Sequence, residues 1–393
     1  MSSFKHRPTR PSARPGIAVV HRAQRAVGTA LTVALGALAL AGPAAASPGP
    51  APPNTVSATI PLGTGAEPQG IAVDPVTHEI FAISNAGSTS TCSASPYPWC
   101  GTLSVIDQRT DTVTHTIALG PGNWIPLGLD PYSGKVYVAS TSTAPGTPNG
   151  IIDVISSRTD KVIDSMTTPN DPYAIAVDPY THTVYIANYC DLLEPSCTNG
   201  SVSVMSERTN AIIATIPVGA VPEHEVFDPV EHELFVSNYG ALSSGTATVI
   251  DTRTNTVAAT VPVGNSPWGE SFDPVTGRVY VANVFGDDVA VINARTNTVT
   301  DTIPLPDSDS PIYVVADPAN GRVYVSLRGG TGLLVIDERT NTVTSSITAV
   351  PEVYQGVAAE SRLYMESRGS STSNVANLSV IKVAPGFSWW GPW

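Results

Sequence analysis

Apolar and polar residues alternate along most of the chain in short runs that turn residues separate. Four such runs occur between Trp268 and Leu305, namely WGESF, RVYVAN, DVAVIN and TVTDTIPL. They are rich in Val, Ile, Thr and Tyr and are separated by Pro, Gly, Asn or Asp, which is typical of β-strands. No apolar period of helical type runs for a useful length. The pattern therefore predicts four short strands in this unit.

The same unit recurs along the chain. An Asp-Pro step precedes the second run of each copy, and a degenerate copy stands at Glu360-Ser361. A repeat of 40-odd residues with four strands is typical of a propeller blade. The Asp residues of the steps are Asp74, Asp130, Asp178, Asp228, Asp273 and Asp317.

The two ends of the repeat region complement each other. The last copy contains RLYMES (Arg362 to Ser367) and NLSVIKV (Asn377 to Val383), but no fourth run follows. NTVSATIPLG (Asn54 to Gly63) precedes the first copy and has the pattern of the missing run. The sequence therefore predicts an all-β, seven-bladed β-propeller of four-stranded antiparallel blades over residues 54–383. The N-terminal strand completes the last blade and removes an exposed sheet edge.

The repeat resembles that of the YVTN β-propeller family. VYVAN at 279–283, VYIAN at 184–188 and LFVSN at 234–238 match the signature strand of that family, and SVIDQRTDTV and VIDERTNTV match its following strands. The resemblance covers about residues 54–383 and implies a propeller fold in a secreted or cell-surface protein. The family is similar in fold to lactonases and to cofactor-bearing propellers. It offers no shared catalytic motif to transfer.

The first 46 residues differ in kind from the repeats. They contain six Lys or Arg and no acidic residue, then an apolar run from about Val27 to Ala41 and a small-residue site before Ser47. This order is typical of a cleaved secretory signal, and the run is short for a membrane anchor. We expect a secreted, extracellular or cell-surface protein with a Pro-rich leader at 47–53 and a Trp-rich tail at 384–393.

Charge limits the partners. Without residues 1–46, the chain keeps 14 basic and 33 acidic residues. Such an acidic chain lacks the basic footprint that nucleic acids require. We expect no nucleic acid partner, no membrane span after signal cleavage, and a monomer. An extracellular protein, a glycan or a small molecule is the expected partner.

The four cysteines form two local pairs, Cys92 with Cys100 and Cys190 with Cys197. In an oxidising compartment, two short disulfide loops are the preferred interpretation. A metal site is the alternative, but the spacings are poor for zinc.

Comparing the copies separates repeated residues from exceptional ones. His78, His182 and His232 align with glycines in the turn after Asp-Pro, where a positive φ is expected, so we interpret them as turn residues. The Arg-Thr-Asn steps recur in nearly every blade and are interpreted as structural. His224 is the histidine that this comparison leaves without such a role.

The innermost run is broken in two adjacent blades. Three residues before the Asp, Glu225 and Glu270 replace aliphatic residues, and His224 replaces a small residue one position earlier, after Glu223. In the seventh copy, Glu360 is taken as the residue equivalent to the Asp of the other copies. The series is Ile71, Leu127, Ile175, Glu225, Glu270, Val314 and Val357.

Paired carboxylates and an imidazole suggest two kinds of chemistry. They can hold a divalent cation, Ca²⁺ or Mg²⁺, or act as an acid and a base. Alternatively, they are wet residues of a channel mouth, or they bond neighbouring backbone or Arg. Aromatic residues at the same level of the blades suit a sugar or an organic cation, or pack between blades. The aromatic candidates are Trp124, Tyr173, Trp268, Tyr313 and Tyr354.

Three functions remain open on the sequence. The first is a scaffold that binds a ligand or partner at the channel mouth. The second is a metal-dependent, lactonase-like hydrolase or lyase that uses Glu225 and Glu270. The third is a structural protein of the cell envelope. No G-x-S-x-G, Walker A, H-E-x-x-H or EF-hand motif is present in the chain.

Overall fold

The computed structural model describes residues 54–64, 66–87, 99–141, 150–168, 171–189, 199–241, 244–306, 310–328, 330, 332–348, 350, 353–367 and 375–383. Three of the four cysteines, Cys92, Cys190 and Cys197, lie outside these residues, so both disulfides stay predictions. The segments 1–46, 47–53 and 384–393 also lie outside them. Among the described residues, no helix combines the length and apolar character that a membrane crossing requires.

The strands form seven antiparallel sheets of four strands each, which confirms the seven-bladed all-β propeller. Strands are numbered along the chain. The innermost strands are β2 (Ala66–Asp74), β6 (Trp124–Asp130), β10 (Asp171–Asp178), β14 (Pro222–Asp228), β18 (Pro267–Asp273), β22 (Pro311–Asp317) and β26 (Val353–Ala359). The second strands are β3 (Glu79–Gly87), β7 (Lys135–Ser140), β11 (Thr183–Tyr189), β15 (Glu233–Ala241), β19 (Arg278–Asn283), β23 (Arg322–Leu327) and β27 (Arg362–Ser367).

The third and outermost strands complete each blade. The third strands are β4 (Trp99–Asp107), β8 (Gly150–Ser156), β12 (Ser201–Ser206), β16 (Ser244–Asp251), β20 (Asp288–Asn293), β24 (Leu333–Asp337) and β28 (Val375–Lys382). The outermost strands are β5 (Thr112–Pro121), β9 (Lys161–Thr168), β13 (Ala211–Pro217), β17 (Thr256–Gly264), β21 (Thr298–Pro304), β25 (Thr342–Ile347) and, in the last blade, β1 (Thr55–Thr64).

The N-terminal strand closes the ring. β1 pairs antiparallel with β28, from Thr55 opposite Lys382 to Thr64 opposite Val375. Arg362 of blade seven then reaches blade one, where its Nη1 donates to the carbonyl of Gln108 at 2.7 Å and to Asp111 Oδ1 at 2.7 Å. The predicted closure is therefore confirmed and is reinforced by an ion pair between the first and last blades.

Apolar contacts between neighbouring blades form the core. Each second strand contributes one fully buried aromatic residue, namely Phe81, Tyr137, Tyr185, Phe235, Tyr280, Tyr324 or Tyr364. Some tyrosine hydroxyls bind the next blade, as when Tyr185 donates to Asn255 Oδ1 at 2.8 Å and to the Thr252 carbonyl at 3.2 Å. The signature tyrosines are thus connectors between blades as well as core residues.

The turns follow the predicted chemistry. His78, His182 and His232 have φ values of 59°, 55° and 59°, close to those of the glycines with which they align. The Asp side chains of the Asp-Pro steps cap the turns, as when Asp228 Oδ1 accepts the Val230 amide at 2.7 Å. The interpretation of these histidines as turn residues is confirmed.

The last blade differs from the predicted alignment by one residue. Ala359 pairs with Arg362 as Asp273 pairs with Arg278, so Ala359, and not Glu360, is the equivalent of the Asp. Glu360 and Ser361 form a two-residue turn with φ values of 49° and 61°, which is the geometry of a type I′ hairpin. Gly356 therefore corresponds to Glu225 and Glu270, and Gln355 corresponds to His224. The turn is shorter than in other blades, which moved the sequence alignment by one position.

Two faces of the ring are distinguished below. The entry face carries the beginnings of the innermost strands and the connections between second and third strands. The turn face carries the Asp-Pro turns.

Candidate functional site

Each innermost strand begins with a β-bulge on the entry face. In blade four, Pro222 pairs with Asn238 and His224 with Ser237, so Glu223 is the extra residue. The same irregularity places Tyr173 in blade three and Trp268 in blade five at bulges. Tyr313 of blade six lies in one as well. Bulges re-aim side chains and are frequent beside active sites. Tyr173, Glu223, Trp268 and Tyr313 all lie in these bulges at the entry face.

Tyr313 lies at the centre of this group. Its ring meets the His224 ring edge to face, with centroids 5.5 Å apart and an interplanar angle of 79°. The Trp268 side chain forms a hydrogen bond with Tyr313, and burial raises the pKa of the Tyr313 phenol. Across the channel, Gln355 Nε2 lies 3.5 Å from His224 Nε2. Four blades thus contribute to one cluster.

Glu223 places a carboxyl group among these rings. The residue is 5% exposed, and its Oε2 has no hydrogen-bond partner among the described residues. Burial raises the pKa of Glu223 to about 8. The carboxylate is close enough to raise the pKa values of Tyr173 and Tyr313, after the larger effect of burial on both phenols. At neutral pH this carboxyl is mostly protonated unless a cation lies beside it.

A second buried carboxyl, Glu366, lies near the same tyrosine. Glu366 is on β27, in the stretch opposite the bulge of blade seven. It is fully buried, and neither carboxyl oxygen has a hydrogen-bond partner within the described part of the chain. Burial raises its pKa well above the usual range, and its charge adds to the raised pKa of Tyr313.

Glu366 was not predicted as a site residue, although the sequence contains a signal for it. At its position the second strands carry Ile83, Ala139, Ala187, Ser237, Ala282 and Ser326. Glu366 is the charged exception. Glu225 and Glu270 are exceptions on innermost strands, whereas Glu366 is an exception on a second strand.

His224 is a neutral imidazole in this setting. Burial lowers the pKa of His224 to about 4, so the ring carries no charge at neutral pH. Its Nδ1 has no hydrogen-bond partner among the residues that the structure describes. The ring can therefore donate or accept one further hydrogen bond, according to its tautomer.

More aromatic residues form a rim around the cluster. Tyr189 stacks near Tyr173 with ring centroids 5.0 Å apart. Tyr239 meets Trp268 edge to face at 6.0 Å and Phe285 at 6.3 Å, and Phe285 is 45% exposed. These residues end or follow second strands on the entry face. We call the group Tyr173, Glu223, His224, Trp268, Tyr313 and Glu366 the entry site.

Glu225 and Glu270 lie between blades rather than in the entry site. Glu225 Oε1 accepts the Ala176 amide of blade three at 2.7 Å, and Glu270 Oε2 accepts the Ser237 hydroxyl of blade four at 2.7 Å. Burial raises both pKa values to about 8. Each keeps one oxygen without a hydrogen-bond partner among the described residues, Oε2 of Glu225 and Oε1 of Glu270.

Among the described residues, the structure places no third metal ligand beside Glu225 and Glu270. Within the described residues, the one group of three or more His, Cys, Asp or Glu side chains whose ligand atoms lie within 4.8 Å of one another is Asp130, His182 and Glu207. Glu225 and Glu270 are not joined by His224 in such a group. A Ca²⁺ or Mg²⁺ site at this pair, and the hydrolase that would use it, stay predictions.

Trp124 lies apart from the other aromatic candidates. It is buried in the core between blades one and two, and its Nε1 donates to the Gly120 carbonyl at 3.2 Å. It occupies the strand position at which five other blades carry proline. The structure brings together Glu223, His224, Tyr173, Trp268 and Tyr313, but not Trp124.

Comparisons with known proteins agree on the fold alone. No family model matches the sequence, and no curated protein is significantly similar to it. The Cps50 (Swd1) beta-propeller domain of Myceliophteria thermophila aligns with a TM-score of 0.62 and 10% identity, covering 84% of this chain and 100% of that chain. Kuenenia stuttgartiensis hydrazine synthase aligns with a TM-score of 0.63 and 14% identity, covering 81% and 96%. The chain is a seven-bladed β-propeller, and membership of the YVTN family stays a prediction.

Proposed function

We propose that this propeller is a secreted binding scaffold whose entry site takes an organic cation of the substituted ammonium class. The propeller fold supports a binding role in general, and the entry site supplies the chemistry. One observation carries the proposal, namely the buried Glu223 carboxyl with an oxygen that no described residue satisfies. Buried polar groups usually have a partner, and a ligand at the entry site would supply one for this oxygen.

The surroundings of Glu223 favour a cation over a neutral ligand. Tyr173, Tyr313 and Trp268 provide the aromatic rings that stabilise ammonium groups through cation–π contacts. Glu223 and Glu366 provide negative charge once a cation compensates for their burial. His224 is uncharged and so does not repel the ligand. A neutral sugar would supply hydrogen bonds to these groups but no positive charge to offset two buried carboxyl groups.

Choline is the probe that tests the proposal. Isothermal titration of the full chain with choline should give one site. Glu223→Gln keeps the shape of the side chain but removes the charge, and we expect affinity to fall at least about tenfold, since removing one partner of a buried charge pair costs roughly 2 kcal/mol or more. No binding of choline to the unaltered chain would overturn the proposal. Saturable binding of a neutral glycan with no choline binding would favour the sugar alternative.

Glu225→Gln is the matched control. Glu225 lies two residues from Glu223 on the same strand and is equally buried, with a pKa raised to about 8 as well. Its carboxyl faces the Ala176 amide of blade three instead of the entry site. We expect this variant to bind choline as the unaltered chain does. An equal loss in both variants would indicate that a general disturbance of the strand, and not the Glu223 charge, controls binding.

A further inference from the structure

A second cluster lies on the turn face, at the junction of blades two and three. Asp130 ends β6, His182 lies in the turn between β10 and β11, and Glu207 directly follows β12. Their ligand atoms all lie within 4.8 Å of one another. Ligand atoms at about 2.0–2.2 Å from a tetrahedral zinc ion lie roughly 3.3–3.6 Å apart, so the three side chains would move closer by up to roughly 1.5 Å to bind one metal.

Both carboxylates are oriented by hydrogen bonds from one side. Asp130 Oδ1 accepts the Tyr132 amide at 2.8 Å, and Glu207 Oε1 accepts the Tyr137 hydroxyl at 3.0 Å. No N–H or O–H group among the described residues reaches Asp130 Oδ2. The two carboxyl groups lie within hydrogen-bond range of each other, and His182 Nδ1 lies 3.4 Å from Glu207 Oε2. The contacts from Tyr132 and Tyr137 fix the direction of the carboxylates, so the inward oxygens are those that a metal would bind.

Burial makes this arrangement costly without a ligand. Asp130 is 0% exposed and Glu207 is 3% exposed. The charges of the two carboxylates repel each other, the nearby Lys135 offsets part of this repulsion, and a metal ion between them would offset it further. His182 Nδ1 lies 3.4 Å from Glu207 Oε2, and the His182 side chain is 44% exposed. The imidazole therefore completes a set of three ligand groups and borders solvent, from which an ion and a water can reach the cluster.

The chain contains a matched pair that lacks the imidazole. At the junction of blades five and six, Glu338 lies beside Asp273, and its raised pKa reflects burial first and the Asp273 charge second. Gly321 occupies the turn position of His182, with φ of 60° against 55°. A Cβ at Gly321 would lie 4.0 Å from Glu338 Oε2. The added histidine therefore distinguishes the junction of blades two and three.

We propose that Asp130 Oδ2, His182 Nδ1 and Glu207 Oε2 bind a divalent transition metal of the zinc type, with water as the fourth ligand. One imidazole and two carboxylates suit Zn²⁺, whereas Ca²⁺ and Mg²⁺ prefer oxygen alone. The metal joins the innermost strand of blade two to the turns of blade three. It stabilises the folded ring by mass action because the unfolded chain does not hold these groups together.

The test measures metal stoichiometry and ligand identity. The metal-free full chain should bind about one Zn²⁺ per chain. The Co²⁺ form should show the visible d–d absorption of a site with four or five ligands. His182→Gly should lower Zn²⁺ affinity at least about tenfold, in keeping with the loss of one of three ligands. This variant should fold, because Gly134, Gly277 and Gly321 occupy the same turn position in other blades. Stoichiometric binding that His182→Gly leaves unchanged would overturn the proposal, as would the absence of Zn²⁺ binding.

Gly321→His tests whether an added histidine creates a second metal site of the same geometry. The substitution places an imidazole next to the Asp273 and Glu338 pair in a turn that already has the φ value of His182. We expect a second Zn²⁺ per chain, weaker than the first because Asp273 Oδ2 already accepts the Thr276 hydroxyl at 2.8 Å. A second Zn²⁺ that binds with the first site intact would support the assignment. If Gly321→His folds and still binds one Zn²⁺, the three-ligand account is contradicted.

Discussion

At the scale of single residues, position in a bulge separates Glu223, which lies in the entry site, from Glu225, which does not. Glu223 and Glu225 lie on one strand, but Glu223 is the extra residue of the bulge and Glu225 lies in the regular ladder. The bulge directs Glu223 to the channel mouth, whereas Glu225 bonds a neighbouring blade. A sequence comparison weights the two equally, because a bulge is a property of strand pairing and not of one strand.

The raised pKa of Glu223 predicts a pH dependence of choline binding. Burial favours the neutral acid up to a pKa of about 8, and the cation needs the carboxylate. Below pH 8, choline affinity should therefore rise by up to about tenfold per pH unit, and it should level off above pH 8. Titrations from pH 6 to 9 measure this. An affinity that is constant over this range in the unaltered chain would contradict the role of Glu223, and Glu223→Gln should show a smaller rise, since Glu366 remains.

Other residue assignments show how far one sequence can lead. The three turn histidines were predicted because glycine replaces them in other copies, and their positive φ values agree. Glu366 could have been found by the same comparison on the second strands. The contact between His224 and Tyr313 could not, since it crosses the channel between strands that are 89 residues apart and depends on how the ring closes.

At the scale of elements, each blade is held to the next by its second strand. The Tyr185 hydroxyl reaches two acceptors in the turn of blade four. Thr252 of that turn also donates to Asp178 Oδ2 of blade three at 2.9 Å. The repeated Tyr, Asp and turn residues thus hold neighbouring blades together. This explains their recurrence without any catalytic role.

Tyr185→Phe tests this contact between blades. The variant keeps the buried ring and leaves Asn255 Oδ1 and the Thr252 carbonyl without their donor. We expect the free energy of unfolding to fall by about 1–2 kcal/mol, measured by urea denaturation. Tyr132→Phe, at a half-exposed ring on a turn, is the control and should change stability by less than about 0.5 kcal/mol. Equal stabilities of Tyr185→Phe and the unaltered chain would argue against the contact.

Strand boundaries were predictable in blades where the repeat is regular, such as blade five. They were less predictable in blade seven, where the repeat is irregular. The four strands of blade five lie close to the runs read from the sequence. Blade seven was shifted by one residue because its two-residue turn replaces the four-residue Asp-Pro turn. The shift hid Gln355 as the counterpart of His224, so a short turn in one copy changed the composition of the predicted site.

At the scale of the whole molecule, several acids are buried in a neutral form. Glu223, Glu225 and Glu270 all have pKa values raised by burial to about 8, against an ordinary value of 4.5. Between these values the folded chain keeps protons that the unfolded chain has released. Folding stability should therefore be greatest near or below pH 4.5 for these groups and should fall as pH rises toward 8.

Urea denaturation at pH 5 and pH 8 measures this effect. Each of the three groups contributes a decline of up to about 1.4 kcal/mol per pH unit inside the window. Glu270→Gln removes one titrating group and should reduce the decline, while Asp301→Asn, at an exposed position on β21, should not. A chain that is more stable at pH 8 than at pH 5 would contradict the neutral, buried state of these acids.

The closure of the ring was predictable from the sequence alone. The missing fourth run of the last copy and the extra run at the start could be matched without coordinates. The convergence of four bulges and of Glu366 on one mouth depends on the circular order of the blades in space. The fold was therefore predictable from the repeat, whereas the composition of the entry site required the structure.

The central claim is that the Glu223 charge recognises a cation at the entry site. It is tested most directly by the ratio of the affinity for choline to that for 3,3-dimethylbutan-1-ol, its neutral isostere. The two probes have the same shape, so the ratio isolates the contribution of charge. We expect the unaltered chain to prefer choline by at least about tenfold, and Glu223→Gln to lower this ratio while leaving the smaller preference that the aromatic rings and Glu366 support. A ratio near one in the unaltered chain, or a ratio that Glu223→Gln leaves unchanged, would contradict the account.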